Sequence, residues 1–191
     1  MKIVYIHGAS ATSESFNYIR HHIKHDAAMI EYDSACGFQS NVDSITDQLS
    51  RHESMFFVCH SLGGIYALHL LERLRSQVVG AVTISTPYGG AESADYAKYF
   101  LPFSRLLRDI GPNSPPIRHS RDVVIDRPWT NIVTTRGSSP WILHANDGVV
   151  TINSQSCRTD MELIALDTNH YEVVLNQETI NIITTKLEEV A

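Results

Sequence analysis

An apolar run, Phe57-Val58-Cys59-His60, leads into Ser61-Leu62-Gly63-Gly64 and then into a further apolar stretch. A serine set between a strand and the glycine-rich opening of a helix has the layout of a nucleophile elbow. The turn strains the serine backbone, and bulk two residues to either side would clash with it. Gly63 meets that demand on one side. Cys59, small but not glycine, stands on the other. Such a turn lifts the Ser61 hydroxyl to the carboxyl end of the sheet, where open α/β sheets bind their ligands. The helix that follows aims free N–H groups at the same point. The chemistry would be nucleophilic: a hydroxyl, activated by a neighbouring base, attacking a carbonyl carbon. The plainer reading of the octapeptide is a strand-to-helix loop with a capping serine.

Among ten histidines, His170 is singled out as the base by its place between the last strand-like run and the last amphipathic segment. Three aspartates compete as its partner. Asp160 and Asp167 lie nearer in sequence, whereas Asp147 sits in a strand-end loop with Gly148; the resemblance described below favours Asp147. His7 and His60 flank the site and are expected to shape it. His21 and His25 would share a helix face, but without a further ligand they are expected to form an exposed polar face, and no metal is predicted. Cys59, at a strand end, is expected to be a buried structural thiol.

These residues need elements to position them. Six short apolar runs read as strands: Ile3 to Ile6, Ala28 to Tyr32, Met55 to Cys59, Val78 to Ile84, Asn131 to Thr135 and Met161 to Leu166. Several are continuously apolar, as strands covered on both faces are. Helical spacing lies between them. Phe16, Ile19 and Ile23 follow a cap at Thr12 or Ser13; Val42, Ile45 and Leu49 follow Ser40-Asn41. Leu62 to Leu74 is apolar nearly all round and predicts a buried helix, and Ile180, Ile183, Leu187 and Val190 predict a last amphipathic one. The alternation implies a parallel sheet with helices on both faces. One stretch breaks it. Between Pro87 and Thr130 lie five of the seven prolines, with Tyr96, Tyr99, Phe100, Phe103, Leu106, Leu107 and Ile110 at near-helical spacing. We expect two short helices and an irregular tail there, serving as a lid or substrate wall.

Composition excludes several other classes. The chain has 191 residues, one domain's worth, and a formal charge of −6, against the basic face of a nucleic-acid binder. No apolar run is long enough to span a membrane. Three scattered cysteines suggest neither a zinc knuckle nor a disulfide framework. The chain enters a strand-like run at once, so no secretory signal is read and a cytoplasmic location is the expectation.

The motifs together resemble the α/β-hydrolase family, and within it the small lipase-like serine esterases. Ile6-His7-Gly8-Ala9-Ser10 looks like the family's oxyanion loop, and Cys59 to Gly64 like its elbow. Ser85-Thr86-Pro87-Tyr88-Gly89-Gly90 is similar to a turn of lipases, and Asp109 to Pro115 to a segment of lipase lids. Asn146 to Val150 is similar to the acid loop, and Asn169-His170 to the histidine loop. The resemblance covers nearly the whole chain. It implies an α/β-hydrolase fold with a minimal, mostly parallel six-stranded sheet, helices on both faces, and one domain over 1–191 with a lid-like insertion at about 88–128. The chain opens on what looks like the family's third strand. The family's triad order is Ser, acid, His, which Ser61, Asp147 and His170 satisfy. By resemblance, the backbone N–H groups of Ala9 and Leu62 would form the oxyanion hole. Tyr88, Tyr96, Phe100, Phe103 and Leu107 would line the acyl site. The implied function is cleavage of a small-molecule or lipid-like carboxylic ester through an acyl-enzyme, with no cofactor and at most transient contact with a lipid surface. An acyltransferase, a thioesterase or amidase, or a non-catalytic binding relative would keep the same residues.

Overall fold

The computed structural model describes residues 1–92, 104–140 and 142–191. Six strands form one sheet: β1 (Lys2–Ile6), β2 (Ala27–Ile30), β3 (Met55–His60), β4 (Val78–Ile84), β5 (Trp129–Thr134) and β6 (Glu162–Leu166), in the order β2-β1-β3-β4-β5-β6. Every pairing is parallel. β1 carries β2 on one side and β3 on the other, with Val4 opposite both Ala28 and Phe57. The order therefore reverses beside β1, the place where open α/β sheets form a crevice at their carboxyl ends.

Side chains alternate with period two and build a separate core on each face. Val4, Ile6, Met55, Phe57 and Cys59 pack under α2 (Phe38–Leu49) and α3 (Leu62–Arg73). Ile3, Tyr5, Phe56 and Val58 pack on the other side under Phe16 and Ile19, with Ile180 and Ile183 of the last helix. That double coverage is why the inner strands read as continuous apolar runs. The edge strand β6 keeps an exposed face and reads less cleanly.

Local signals behaved as expected in some places and not in others. Thr12 stands at the cap position, but its side chain makes no capping bond. The segment opens as a 3-10 turn, Ser13–Phe16, and continues as α1 (Asn17–His22), with Ile23 already extended. α2 begins at Phe38, ahead of the expected Ser40-Asn41 start, because a carboxylate from another element caps it: Asp109 Oδ2 accepts the Phe38 N–H at 3.0 Å. Beyond β4, the described residues contain α4 (Arg105–Ile110) and α5 (Pro115–Asp122). A single turn, α6 (Ile152–Gln155), precedes β6, and α7 (Gln177–Glu188) closes the chain's described structure. Among the described residues no helix is long and apolar enough to cross a membrane.

Candidate active site

Ser61 lies between β3 and α3 with φ 53° and ψ −121°. A non-glycine residue avoids this region, at a cost of about 1–3 kcal/mol, unless its surroundings hold it there. They do. The Ser61 N–H donates to the Ile84 carbonyl at 2.8 Å, and its own carbonyl accepts from Gly64 N–H at 3.0 Å. The two glycines let α3 start hard against its neighbours. A methyl group on Gly63 would fall 2.1 Å from the Ile6 carbonyl oxygen, and one on Gly64 2.0 Å from Thr86 Oγ1. Cys59 is tolerated at the first small position because its side chain points into the sheet core. Burial pushes its thiol well above the ordinary value, so it is a packing residue and no thiolate.

Opposite Ser61 stands His170, whose Nε2 is 3.0 Å from Ser61 Oγ and whose Nδ1 is 2.7 Å from Asp147 Oδ2. Its backbone is pinned at both ends. The His170 N–H donates to the Asp147 carbonyl at 3.1 Å, and the His170 carbonyl accepts from His60 Nε2 at 2.9 Å. Asn169 Oδ1 accepts the N–H groups of Tyr171 and Glu172, which turns the chain directly after the histidine. His60 is buried at the end of β3, and burial pushes it down to about 3, so it is a neutral donor.

Asp147 comes from the loop beyond β5, where Gly148 adopts φ 101°. Its Oδ1 accepts from the N–H groups of Val149 and Val150 at 3.0 and 2.8 Å. Its Oδ2 accepts from His170, from Thr134 Oγ1 at 2.6 Å and from Gln155 Nε2 at 3.0 Å. Burial works against the charge, but these donors and the imidazole outweigh it and hold the carboxyl below its ordinary value. The competing aspartates are elsewhere: Asp160 is paired with Arg158 at 2.6 Å, and Asp167 is exposed.

The β1 loop borders Ser61 from the other side. A methyl group on Gly8 would lie 3.2 Å from Ser61 Cβ. His7 is buried, stacks on Tyr32 at 4.2 Å, and turns Nδ1 to the Gly8 carbonyl at 2.8 Å. The Tyr32 hydroxyl donates to the His7 carbonyl at 2.8 Å. Because a trans peptide sets its N–H opposite its C=O, anchoring the Gly8 carbonyl also fixes the direction of the Ala9 N–H. The Leu62 N–H opens α3 and has no carbonyl four residues back within the helix.

The expected acyl-site residues fare differently. Tyr88 is in the core: it is 1% exposed, its hydroxyl is 2.8 Å from Thr83 Oγ1, and it accepts from Trp129 Nε1 at 3.0 Å. Those two partners draw the ring inward, so it packs rather than walls a pocket. Leu107 is half-buried on α4. Tyr96, Phe100 and Phe103 lie outside the described residues. His21, His22 and His25 are exposed, and among the described residues no group of three His, Cys, Asp or Glu is placed to hold a metal. Thr134 and Gln155 went unread in the sequence, because nothing local to them carries a signal that the Asp147 loop folds over both.

Comparison with known proteins fits this geometry. No family model matches the chain. It is 28% identical to triacylglycerol lipase 2 of Saccharomyces cerevisiae, over 61% of this chain and 44% of that one, so it spans less than half the length of that relative. A metagenomic carboxyl esterase superposes with TM-score 0.80 at 14% identity, covering 99% of this chain and 75% of its own. A Bacillus licheniformis lipase in mature form superposes with TM-score 0.70 at 16% identity, covering 97% and 91%. The naproxen esterase of Bacillus subtilis gives 0.66 at 15%, covering 98% and 83%. With its six-stranded parallel sheet and helices on both faces, the chain has the α/β-hydrolase fold and is similar to lipases and esterases.

Proposed function

We propose that the protein is a serine hydrolase of carboxylic esters. The observation that carries the reading is one continuous relay, Asp147 Oδ2 to His170 Nδ1 at 2.7 Å and His170 Nε2 to Ser61 Oγ at 3.0 Å, with the serine on a strained elbow. The likeness to lipases and esterases supports the same reaction class. In this reading His170 takes the Ser61 proton as Oγ attacks the ester carbonyl. It then returns that proton to the leaving alkoxide, and water enters by the same route to release the acid. Asp147 keeps the proton on Nδ1 and stabilises the imidazolium. The N–H groups of Ala9 and Leu62 receive the oxyanion, each contributing roughly 3–4 kcal/mol to transition-state stabilisation. The chain is read as one hydrolase domain over 1–191. The lid-like insertion at about 88–128 belongs to the same reading: its apolar stretch as far as Ile110, Tyr88 excepted, would serve as the acyl wall, and the hydrophobicity of that stretch favours a medium-chain or lipid-like acyl group over a charged one.

The test is hydrolysis of a p-nitrophenyl ester series from acetate to palmitate by wild type and Ser61→Ala. Turnover by the wild type is expected to drop by about 10⁴-fold or more in the variant, with the preferred chain length sizing the acyl site. A folded wild type inert on every ester overturns the assignment. Fluorophosphonate labelling of Ser61 in that case points to a narrow acyl specificity or a transferase, and no labelling to a pocket that binds without reacting.

A further inference from the structure

Gln155 is fully buried at the end of α6, and its carboxamide has no freedom of assignment. The Thr134 N–H, which can only donate, faces Oε1 at 2.9 Å, so the amide nitrogen faces Asp147 Oδ2 at 3.0 Å. That nitrogen also reaches the Thr134 carbonyl at 3.3 Å. The Gln155 main chain is tied to the same strand, its carbonyl accepting from Asn131 Nδ2 at 2.8 Å. Thr134 has one hydroxyl proton, and its shortest contact, 2.6 Å to Asp147 Oδ2, takes it. The Ser85 hydroxyl stands 2.9 Å from the same Oγ1, on a backbone at φ 52°. The ends of β4 and β5 and the turn of α6 thus converge beneath a single carboxylate oxygen, the one that meets His170.

We propose that Gln155 is a positioning residue of the active site, which clamps Asp147 Oδ2 against His170 by donating from Nε2 while Oε1 holds the end of β5. The proposal rests on the Ser61-His170-Asp147 reading and adds what orients its acid. A buried carboxylate satisfied by fixed donors keeps one rotamer, and the imidazole it orients keeps one tautomer. A histidine out of line by a fraction of an ångström would slow proton transfer without altering substrate binding.

Gln155→Glu tests this with a signature that packing alone does not produce. The new side chain has the same shape, but it can donate to Asp147 only while it carries a proton. Two carboxyl groups about 3 Å apart share one proton at low pH and hold it to a raised pH. Beyond that point two like charges meet and the clamp opens. Among the described residues, the other titratable groups facing this pair are His170, with Tyr171 beside it, and His60 at the end of β3, which burial keeps neutral. Taking the ratio of kcat/KM in the variant to that in wild type removes the pH dependence that the two proteins share. The ratio is expected to stand near one at the acid end and to fall about tenfold or more, reversibly, as pH rises, with KM within about twofold. Gln155→Met, which cannot donate at any pH, is expected to lose about tenfold in kcat throughout. A ratio flat with pH in folded Gln155→Glu, or wild-type kcat in Gln155→Met, overturns the proposal. A readout on the unaltered protein guards against variants that fail to fold. The Gln155 side-chain N–H resonances are expected to move when Ser61 is phosphonylated, and resonances that stay still overturn it. A wild type inert on esters is a separate outcome and counts against the hydrolase reading.

Discussion

Gly63 shows how little slack single residues have at this site. Its Cα faces the carbonyl oxygens of Ile6 and His7, so a methyl group there, 2.1 and 2.8 Å away, would press on backbone that cannot rotate aside. Gly63→Ala must push the end of β1 away from α3, and the end of β1 carries Gly8 and Ala9. Overpacking of this kind costs about 3 kcal/mol or more. The variant is expected to lose that much in urea denaturation, and to lose kcat even at temperatures where it is fully folded. Wild-type stability would show that the loop gives freely. Residues of this sort were legible because their chemistry is local: a small residue beside a serine, a histidine ahead of a helix. Thr134 and Gln155 were not, since their meaning arises only when β5 and α6 come to lie under the acid loop. Tyr88 misled for the converse reason. An aromatic residue in a proline-rich excursion suggests a pocket wall, but Thr83 and Trp129, distant or unremarkable in sequence, supply partners for its hydroxyl and draw it into the core.

At the scale of elements, strands were read more closely than helix ends. Each inner strand is buried on both faces, and burial writes itself into composition. Helix starts depend on what happens to be near the free N–H groups. α2 illustrates this. Gly37 supplies a backbone at φ 95° but no side chain to cap the helix, and Asp109, from α4, reaches across to the Phe38 N–H. Phe38 is then packed face to face with Tyr66 of α3, with ring centroids 4.3 Å apart. Arg105 Nη1 donates to the Cys36 carbonyl at 3.3 Å, and Ser114 Oγ holds the Asp109 carbonyl at 2.6 Å. The Asp109 to Pro115 segment is therefore a tether between α4 and α2 as well as a connection to α5. Asp109→Ala removes a capping carboxylate and is expected to cost about 1 kcal/mol, with Asp109→Asn recovering about half. Equilibrium unfolding in urea measures both, and an alanine variant as stable as wild type would mean that the cap contributes nothing beyond water.

For the molecule as a whole, placing the site on the central strands makes stability depend on protons. His60 closes β3, between β1 and β4, under the His170 loop, where it is buried. Its folded value of about 3 lies below the ordinary 6.5 because burial disfavours the cation. The unfolded chain therefore binds a proton that the folded chain refuses. Stability rises with pH between those values and is lost as pH falls through them, by at most about 1.4 kcal/mol per pH unit for this one group. His69, buried on α3 and also pushed down by burial, adds in the same direction. Asp147 acts lower, below the ordinary carboxyl value of 3.8, where protonation removes the charge that its donors stabilise. Urea midpoints measured from pH 7 to pH 4.5 are thus expected to fall steadily in wild type. His60→Gln keeps a side-chain donor for the His170 carbonyl and removes the titration, so its slope is expected to be shallower by up to one proton. Its stability at pH 7 is then lower than wild type by no more than the cost of imperfect packing, and the two curves converge toward acid. Parallel curves would mean that His60 takes up its proton in the folded state. The buried seat seen for it beneath the His170 carbonyl would then have to open to solvent within the native fold.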